Sequence, residues 1–420
     1  MVRWSSAVLA AGCCVLHFTV VSAQGNLTCD LAASVLVCPA AGSPRSQLET
    51  ATLIAGSEAT GATFAQAVSL EVATAPLGSS SGGFVYTFDR ATRGQRRTSA
   101  SFGPAFAERA LTIGQGNFSG GFNVLKRSYD TFGDVDLDKF EVFRFIGGGE
   151  LAARSSQIQL RTDTETTAIF GHVGVLNNLD VGVMVPYIHL TLDGVSQLFT
   201  DSGGEVQRVL LRSSTQGFGD LGIFTKFKFA QFGAPPGADA GPNAALALAA
   251  TFRLPTGSKE ELRGLGVGRA LLSLVASGAA GRFSPHVNVG YEFWTDSVVV
   301  PQDFQGLTTL ASKDQVQYAG GVEVEVTRRL TLVGDVLGRF LRGTGQVGYQ
   351  PFEYRQNPLN IQGANALVAA PNGVHSIYAV PGVKWNFYAD ALLNFHALVS
   401  LTREGLRDRI TPVIGIDWGF

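Results

Sequence analysis

The chain closes on Ile410-Thr411-Pro412-Val413-Ile414-Gly415-Ile416-Asp417-Trp418-Gly419-Phe420, and this stretch decides the fold. Its even positions, Ile410, Pro412, Ile414, Ile416, Trp418 and Phe420, are apolar or aromatic. Its odd positions, Thr411, Val413, Gly415, Asp417 and Gly419, are small or polar. A period of two makes a strand with one greasy face and one wet face. A bare Trp-x-Phe edge on a soluble domain would be a template for aggregation. A closed membrane barrel has no such edge, because its last strand pairs with its first.

Working back from Phe420, the same alternation predicts about twelve strands, at 118–130, 156–175, 178–197, 216–232, 243–254, 267–280, 282–295, 315–327, 329–341, 374–387, 391–402 and 409–420. Single-chain bacterial barrels use an even number of strands, with short periplasmic turns and longer extracellular loops. The connections follow that rule. Asn177, 233–242, Gly281, Arg328 and Tyr388–Asp390 alternate with 131–155, 198–215, 255–266, 296–314, 342–373 and 403–408. The strand list rests on apolar alternation, so the connection lengths support it independently. The C-terminus then lies in the periplasm. A soluble β-sandwich also alternates, but it has no need of an apolar last residue or of regular loop lengths. The fold class predicted is all-β: a transmembrane antiparallel up-and-down barrel with an N-terminal segment before it.

Face assignment follows from parity. Val316, Tyr318, Val322, Val324 and Val326 oppose Gln315, Gln317, Glu323 and Glu325; Leu330, Leu332, Val336 and Phe340 oppose Arg329, Asp335 and Arg339. In 282–295, Phe283, Val287, Val289, Tyr291 and Phe293 oppose Ser284, His286, Asn288 and Glu292; in 216–232, Leu221, Ile223, Phe227 and Phe229 oppose Asp220, Lys226 and Lys228. A Lys or Arg facing lipid near the midplane costs about 2–4 kcal/mol, so the charged face is the lumen. The lumen-lining candidates are therefore Asp220, Lys226, Lys228, His286, Glu292, Glu323, Glu325, Arg329, Asp335 and Arg339. Glu323 and Glu325 are expected beside Arg329, Asp335 and Arg339 on the next strand. They form either a constriction that selects solutes or interior packing in a barrel of intermediate width. Tyr187, Tyr291, Phe293, Trp385, Phe387, Trp418 and Phe420 suit interfacial aromatic girdles.

Composition and the N-terminus agree with export. After the N-terminus no apolar run approaches the roughly 18 residues of a spanning helix. A net charge of -2 gives no reason to expect a nucleic-acid partner. Arg3, the apolar stretch Ala7 to Val21 and the small-residue site Val21-Ser22-Ala23 read as a signal peptide, 1–23. Leu9-Ala10-Ala11-Gly12-Cys13 also fits a lipidation box, although the apolar stretch continues past Cys13. Residues 24–117 form a periplasmic or plug-like segment, and 118–420 the barrel. Cys29 and Cys38, the two cysteines left after cleavage, are candidates for a local disulfide in an oxidising compartment. The basic stretch Arg90 to Arg97 is a solvated loop or a contact with the acidic lumen.

Catalytic signals are weak. Ser284, His286 and Asn288 share a row, but alternate strand residues lie about 6.6 Å apart, too far for direct hydrogen bonding without bending. A GxSxG elbow is absent. His172, His189, His286, His375 and His396 are scattered, so no metal or cofactor site is expected. Gly147-Gly148-Gly149 lacks the strand, helix and lysine of a phosphate cradle.

Several stretches carry a resemblance: Phe102-Gly103-Pro104 with Phe106-Ala107-Glu108-Arg109-Ala110-Leu111-Thr112-Ile113-Gly114; Leu179-Asp180-Val181-Gly182-Val183 with Val185-Pro186; Arg253-Leu254-Pro255-Thr256-Gly257; and Gly281-Arg282-Phe283-Ser284-Pro285-His286-Val287-Asn288 with Gly290-Tyr291. They resemble a family of bacterial outer-membrane proteins named for the MetA pathway of phenol degradation. The resemblance implies a transporter or channel broadly similar to FadL-type barrels that pass hydrophobic compounds. It carries no functional residues over, and no residue here implies phenol. Gly415, Trp418 and Phe420 also resemble the signal that outer-membrane assembly machinery reads, with Val413 where a polar residue is usual.

The expected function is a passive outer-membrane channel for small, hydrophobic or aromatic compounds. Its partners would be lipid, the assembly machinery and the solute. A structural or adhesive barrel acting through loops 131–155, 296–314 and 342–373, and an outer-membrane hydrolase, are the alternatives. A TonB-dependent receptor would need about 22 strands and a full plug domain, more chain than is present.

Overall fold

The computed structural model describes residues 43–45, 47, 58–78, 83, 86–89, 94–97, 101–146, 152–199, 205–233, 242–301, 309–343, 345–356, 359–388 and 390–419. The signal region, Cys29, Cys38, Arg90, Arg93, the triplet 147–149 and Phe420 lie outside the described residues.

Twelve strands make a closed wall: β1 (Phe118–Tyr129), β2 (Ala152–Leu176), β3 (Leu179–Phe199), β4 (Leu221–Gly233), β5 (Asn243–Leu254), β6 (Arg269–Ala279), β7 (Phe283–Pro301), β8 (Thr309–Thr327), β9 (Leu330–Leu341), β10 (Val374–Tyr388), β11 (Ala391–Ser400) and β12 (Ile410–Gly419). Each pairs antiparallel with the next. The ring closes where β12 meets β1, from Gly419 opposite Ser119 to Val413 opposite Leu125. Every predicted strand has its counterpart, because a wall with lipid on one side and polar lumen on the other imposes strict alternation.

That alternation is visible in exposure. Leu248 is 55% exposed beside Ala247 at 0%, and Val289 is 55% exposed beside Asn288 at 8%. Outward-facing Phe227, Phe252, Leu274, Val287, Leu332 and Phe395 continue the apolar surface around the barrel, as a membrane-spanning wall requires. Among the described residues no helix is long and apolar enough to cross a membrane; the strands do so. Aromatic pairs mark both ends of the wall: Trp385 with Phe387, ring centroids 6.2 Å apart, at the short turns, and Tyr291 with Phe293, at 4.7 Å, toward the long loops.

The turn after β6 is closed by Gly281 at φ 61°, a conformation that favours glycine. At the other end the predicted loops contain further strands. Residues Phe140–Ile146 pair with the outer part of β2, Glu205–Phe218 continue β4 along β3 beyond a break at Gly219-Asp220, and Gln346–Gln356 pairs with Leu359–Ala370 as a separate hairpin. β7 and β8 also run on to Pro301 and Thr309. These extensions correct the loop boundaries. Beyond the bilayer both faces meet water, so the greasy alternation that marks the wall stops while the pairing continues.

Residues 63–78 and 101–117, before β1, pack inside the wall. The backbone N–H of Arg45 donates to the carbonyl of Glu260, 3.2 Å, among the long loops. Helix α1 (Glu58–Thr74) follows, and its residues 63–74 are all buried. Apart from Gln66 and Glu71 its buried residues are apolar or small, as suits a surrounded helix, and it stops before Pro76, which cannot extend it. Phe64 packs edge-on to Phe132 at 5.2 Å and stacks on Phe140 at 5.6 Å. Residues 75–78 descend past Asn123, whose side chain donates to the Leu77 carbonyl at 3.2 Å. Residues 101–117 lie in the short-turn half and lead into β1.

Candidate functional site

Residues 101–117 have no regular secondary structure, yet their backbone is almost wholly buried. Buried amide and carbonyl groups need partners, and here the wall supplies them. Lys384 on β10 donates to the carbonyls of Pro104 at 2.8 Å and Phe102 at 3.4 Å. Glu323 on β8 accepts from the Gly103 N–H at 3.1 Å. Asp335 on β9 accepts from Ala105 at 3.0 Å and Phe106 at 3.4 Å. Asn288 on β7 donates to the Glu108 carbonyl at 3.1 Å, and Ser277 on β6 accepts from Ala110 at 2.9 Å. Asp180 on β3 takes the Ile113 N–H at 3.1 Å, and Asn177 in the next turn accepts from Thr112 and Gln115. The segment therefore runs round the inside of the wall as a belt, meeting one strand after another.

Three charge clusters surround it. His286 has its Nε2 3.0 Å from Asp335 and its Nδ1 3.4 Å from Glu323. Lys226 lies 3.6 Å from Glu108 of the belt and 3.9 Å from Asp180. Arg269 holds Asp220 at 3.1 Å, Glu292 at 3.7 Å and the Ala73 carbonyl of α1 at 2.8 Å. Above them Arg339 contacts Glu71 and the Thr74 hydroxyl of the helix, with Arg127 4.0 Å from Glu71. Removing one partner of such a buried pair strands the other charge, at a cost of about 3–5 kcal/mol.

Most sequence candidates meet in these clusters. Asp220, Lys226, His286, Glu292, Glu323, Asp335 and Arg339 are all buried. Lys228 is half-buried near the short-turn end and bonds Gln231 at 3.0 Å. Glu325 is half-buried and has no ion pair among the described residues. Arg329 corrects an expectation: it is exposed in the turn before β9, because the strand and its alternation begin only at Leu330. The expected ladder of Glu323 and Glu325 against Arg329 and Arg339 does not form. In the observed register Glu323 faces Val333 and Arg339 faces Gln317, so each charge turns to the lumen contents instead. His286 likewise faces two carboxylates and not the Ser284 hydroxyl.

Sequence reasoning missed Glu71, Glu108, Arg127, Asp180, Arg253, Arg269, Lys384 and Asp417. Asp180, Arg269, Lys384 and Asp417 sit on the inward parity of strands already recognised, so extending the parity count would have found them. Glu71 and Glu108 lie outside the wall and gave no periodic signal. Tight packing also leaves a trace: a Cβ at Gly382 would collide with the His396 ring.

Between α1, the belt and β2 to β10 lies a cavity of about 180 Å³. Phe106, Phe170, Met184, Phe224 and Leu271 give it apolar walls, and Arg253, Arg269, Glu292 and Arg339 give it a charged side.

A family profile described as "Putative MetA-pathway of phenol degradation" matches residues 143–396, more than half of the 420-residue chain. The chain belongs to this family. The matched span holds Asp180, Arg253, His286, Glu323 and Asp335, whereas the belt itself precedes it. No curated protein matches the chain. Among solved structures, an outer membrane channel from Pseudomonas putida is 11% identical with a TM-score of 0.42, over 74% of this chain and 98% of that one. The CymD monoaromatic hydrocarbon channel is 10% identical with a TM-score of 0.31, over 73% and 89%. The toluene transporter TodX of Pseudomonas putida is 11% identical with a TM-score of 0.30, over 72% and 90%. Such values describe a barrel shape and say nothing about cargo.

Proposed function

We propose that this chain is an outer-membrane channel through which small hydrophobic or aromatic compounds diffuse passively, and that its N-terminal segment is a plug. The observation that carries the reading is the cavity of about 180 Å³ inside a closed membrane wall, partly aromatic and partly charged. The segment beside it is held by side-chain contacts that can be released one by one. Short turns and the C-terminus face the periplasm, as in barrels with short periplasmic turns. The apolar outer face contacts lipid, and the last strand is the element the assembly machinery engages. The buried charges clasp the plug and narrow the path; they perform no catalysis.

The test is planar-bilayer conductance of the purified full chain, together with benzyl alcohol uptake by Gram-negative cells with and without it. A small, steady conductance and faster uptake are expected. A barrel that neither conducts nor speeds uptake overturns the channel.

The strands beyond the lipid-facing wall favour a second reading, an adhesive or structural barrel. Deleting the hairpin 346–370 would then abolish a surface phenotype and leave conductance unchanged.

A further inference from the structure

Arg253 lines the cavity. It sits on the inward face of β5, directly opposite Arg269 on β6. Like charges placed across neighbouring strands repel. Arg269 is compensated by Asp220 and Glu292. Arg253 has no ion pair or hydrogen bond among the described residues. The nearby carboxylates are committed elsewhere. Asp220 takes the Gly257 N–H at 3.1 Å as well as Arg269. Glu292 accepts from Trp294 at 2.8 Å, Gln315 at 3.0 Å and Gln317 at 3.1 Å. The ionisable groups lining the cavity are Glu108, Arg253, Arg269, Glu292 and Arg339, three cations against two anions, and Glu108 is paired with Lys226. With the partners Lys226, Asp220 and Glu71 counted, the charges balance in number, but among these cations only Arg253 has no direct ion pair within the described residues.

Part of the remaining wall is apolar and aromatic, with Phe106, Phe170, Met184, Phe224 and Leu271 around the same cavity, beside polar Thr251, Ser273 and Gln317. Its volume, about 180 Å³, exceeds the ~150 Å³ of an apolar cavity that takes up benzene. A guanidinium presents a planar fork that matches a carboxylate. We propose that the cavity is a binding station for small aromatic carboxylates, with the carboxylate on Arg253 and the ring against the aromatic wall. This names a substrate class for the channel described above and rests on that reading for its role in passage. Arg253, Arg269 and Glu292 lie closer to the long loops than Ala249, Ser273 and Asn288 on the same strands, so the anion is met on the outer side of the cavity.

Equilibrium binding of benzoate, neutral benzyl alcohol and cationic benzylamine to the detergent-purified full chain tests this, with conductance measured in parallel. Benzoate is expected to bind most tightly. Arg253→Gln should lower the ratio of benzoate to benzyl alcohol affinity by about tenfold or more, because a charge-assisted pair is lost. Arg253→Lys should fall between, keeping the charge and losing the fork. Arg282→Gln, in an exposed turn, should leave the ratio unchanged. Heat-modifiable gel migration shows that each variant is a folded barrel. A folded chain that conducts yet binds benzoate no better than benzyl alcohol overturns the site and spares the channel. The site is equally overturned by a folded Arg253→Gln variant with an unaltered ratio. Arg253-dependent benzoate binding by a chain that conducts nothing supports the site and overturns the channel.

Discussion

The two halves of the lumen are filled by different physics. In the long-loop half, α1 satisfies most of its own backbone, so its surroundings there are mainly apolar. Phe64 and Val68 join Phe132, Phe140, Ile158, Leu190 and Leu406 in one buried cluster. In the short-turn half, the belt is irregular and satisfies little of its own backbone, only the turn at 113–117 bonding internally among the described residues, so the wall must carry donors and acceptors inward. Lys384, Glu323, Asp335, Asn288, Ser277 and Asp180 do so. The contrast explains why Lys384, Glu323, Asp335 and Asp180 are buried, whereas Glu71 on α1 and Arg127 and Arg339 beside it are held by one another. The first four lie where an irregular backbone would otherwise be unsatisfied in a water-poor interior.

The comparison can be broken most forcefully at Asp335. Asp335→Ala removes the acceptor of two belt amides and the 3.0 Å partner of His286. A cost of about 3–5 kcal/mol is expected, spent on the belt and not on α1. Single-channel conductance should rise severalfold while protease still spares residues 58–74. Unchanged conductance would mean that the belt is not the obstruction.

Phe64→Ala is the opposite experiment. It opens a cavity between Phe132 and Phe140 and should cost about 3–5 kcal/mol of helix docking. Limited proteolysis should then cut within 58–74 faster than in the parent, while 101–117 stays protected. Equal loosening of both segments would show that they are one cooperative unit. On intact cells the same cut should come from outside, since the helix lies among the long loops that we assign to the cell surface.

Lys384→Met is a milder version of the first change. It removes the donor to Phe102 and Pro104 and the cation 4.0 Å from Asp417. Two carbonyls lose a bond while the belt keeps Glu323 and Asp335. A loss of about 1–3 kcal/mol follows, and conductance should increase less than in Asp335→Ala.

The wall was legible in the sequence because lipid punishes any error of parity. Leu248, Val289 and Leu332 announce the outward face by themselves, and β1 to β12 follow. The strands beyond the bilayer were hidden for the converse reason. In Glu205–Phe218 both faces carry polar residues, so neither face is marked. The belt was visible only as a resemblance, in Phe102 to Gly114, since its side-chain bonds to the wall join residues 62 to 282 positions apart and no local period records them. Arg253 was overlooked because its strand, rich in alanine, shows little contrast between faces.

The smallest effect separates two arginines that parity alone treats alike. Arg329 and Arg339 fall ten residues apart on the same inward count, yet only Arg339 reaches α1, through Glu71 and Thr74. Arg339→Gln should weaken the junction between helix and wall by leaving Glu71 with Arg127 alone, 4.0 Å away. Arg329→Gln lies in an exposed turn and should change stability by no more than about 0.5 kcal/mol. Thermal unfolding of the two variants, read by gel migration, makes the comparison directly. If Arg329→Gln proved as damaging as Arg339→Gln, the alternation would have to extend through the turn, and the charge would belong to the lumen after all.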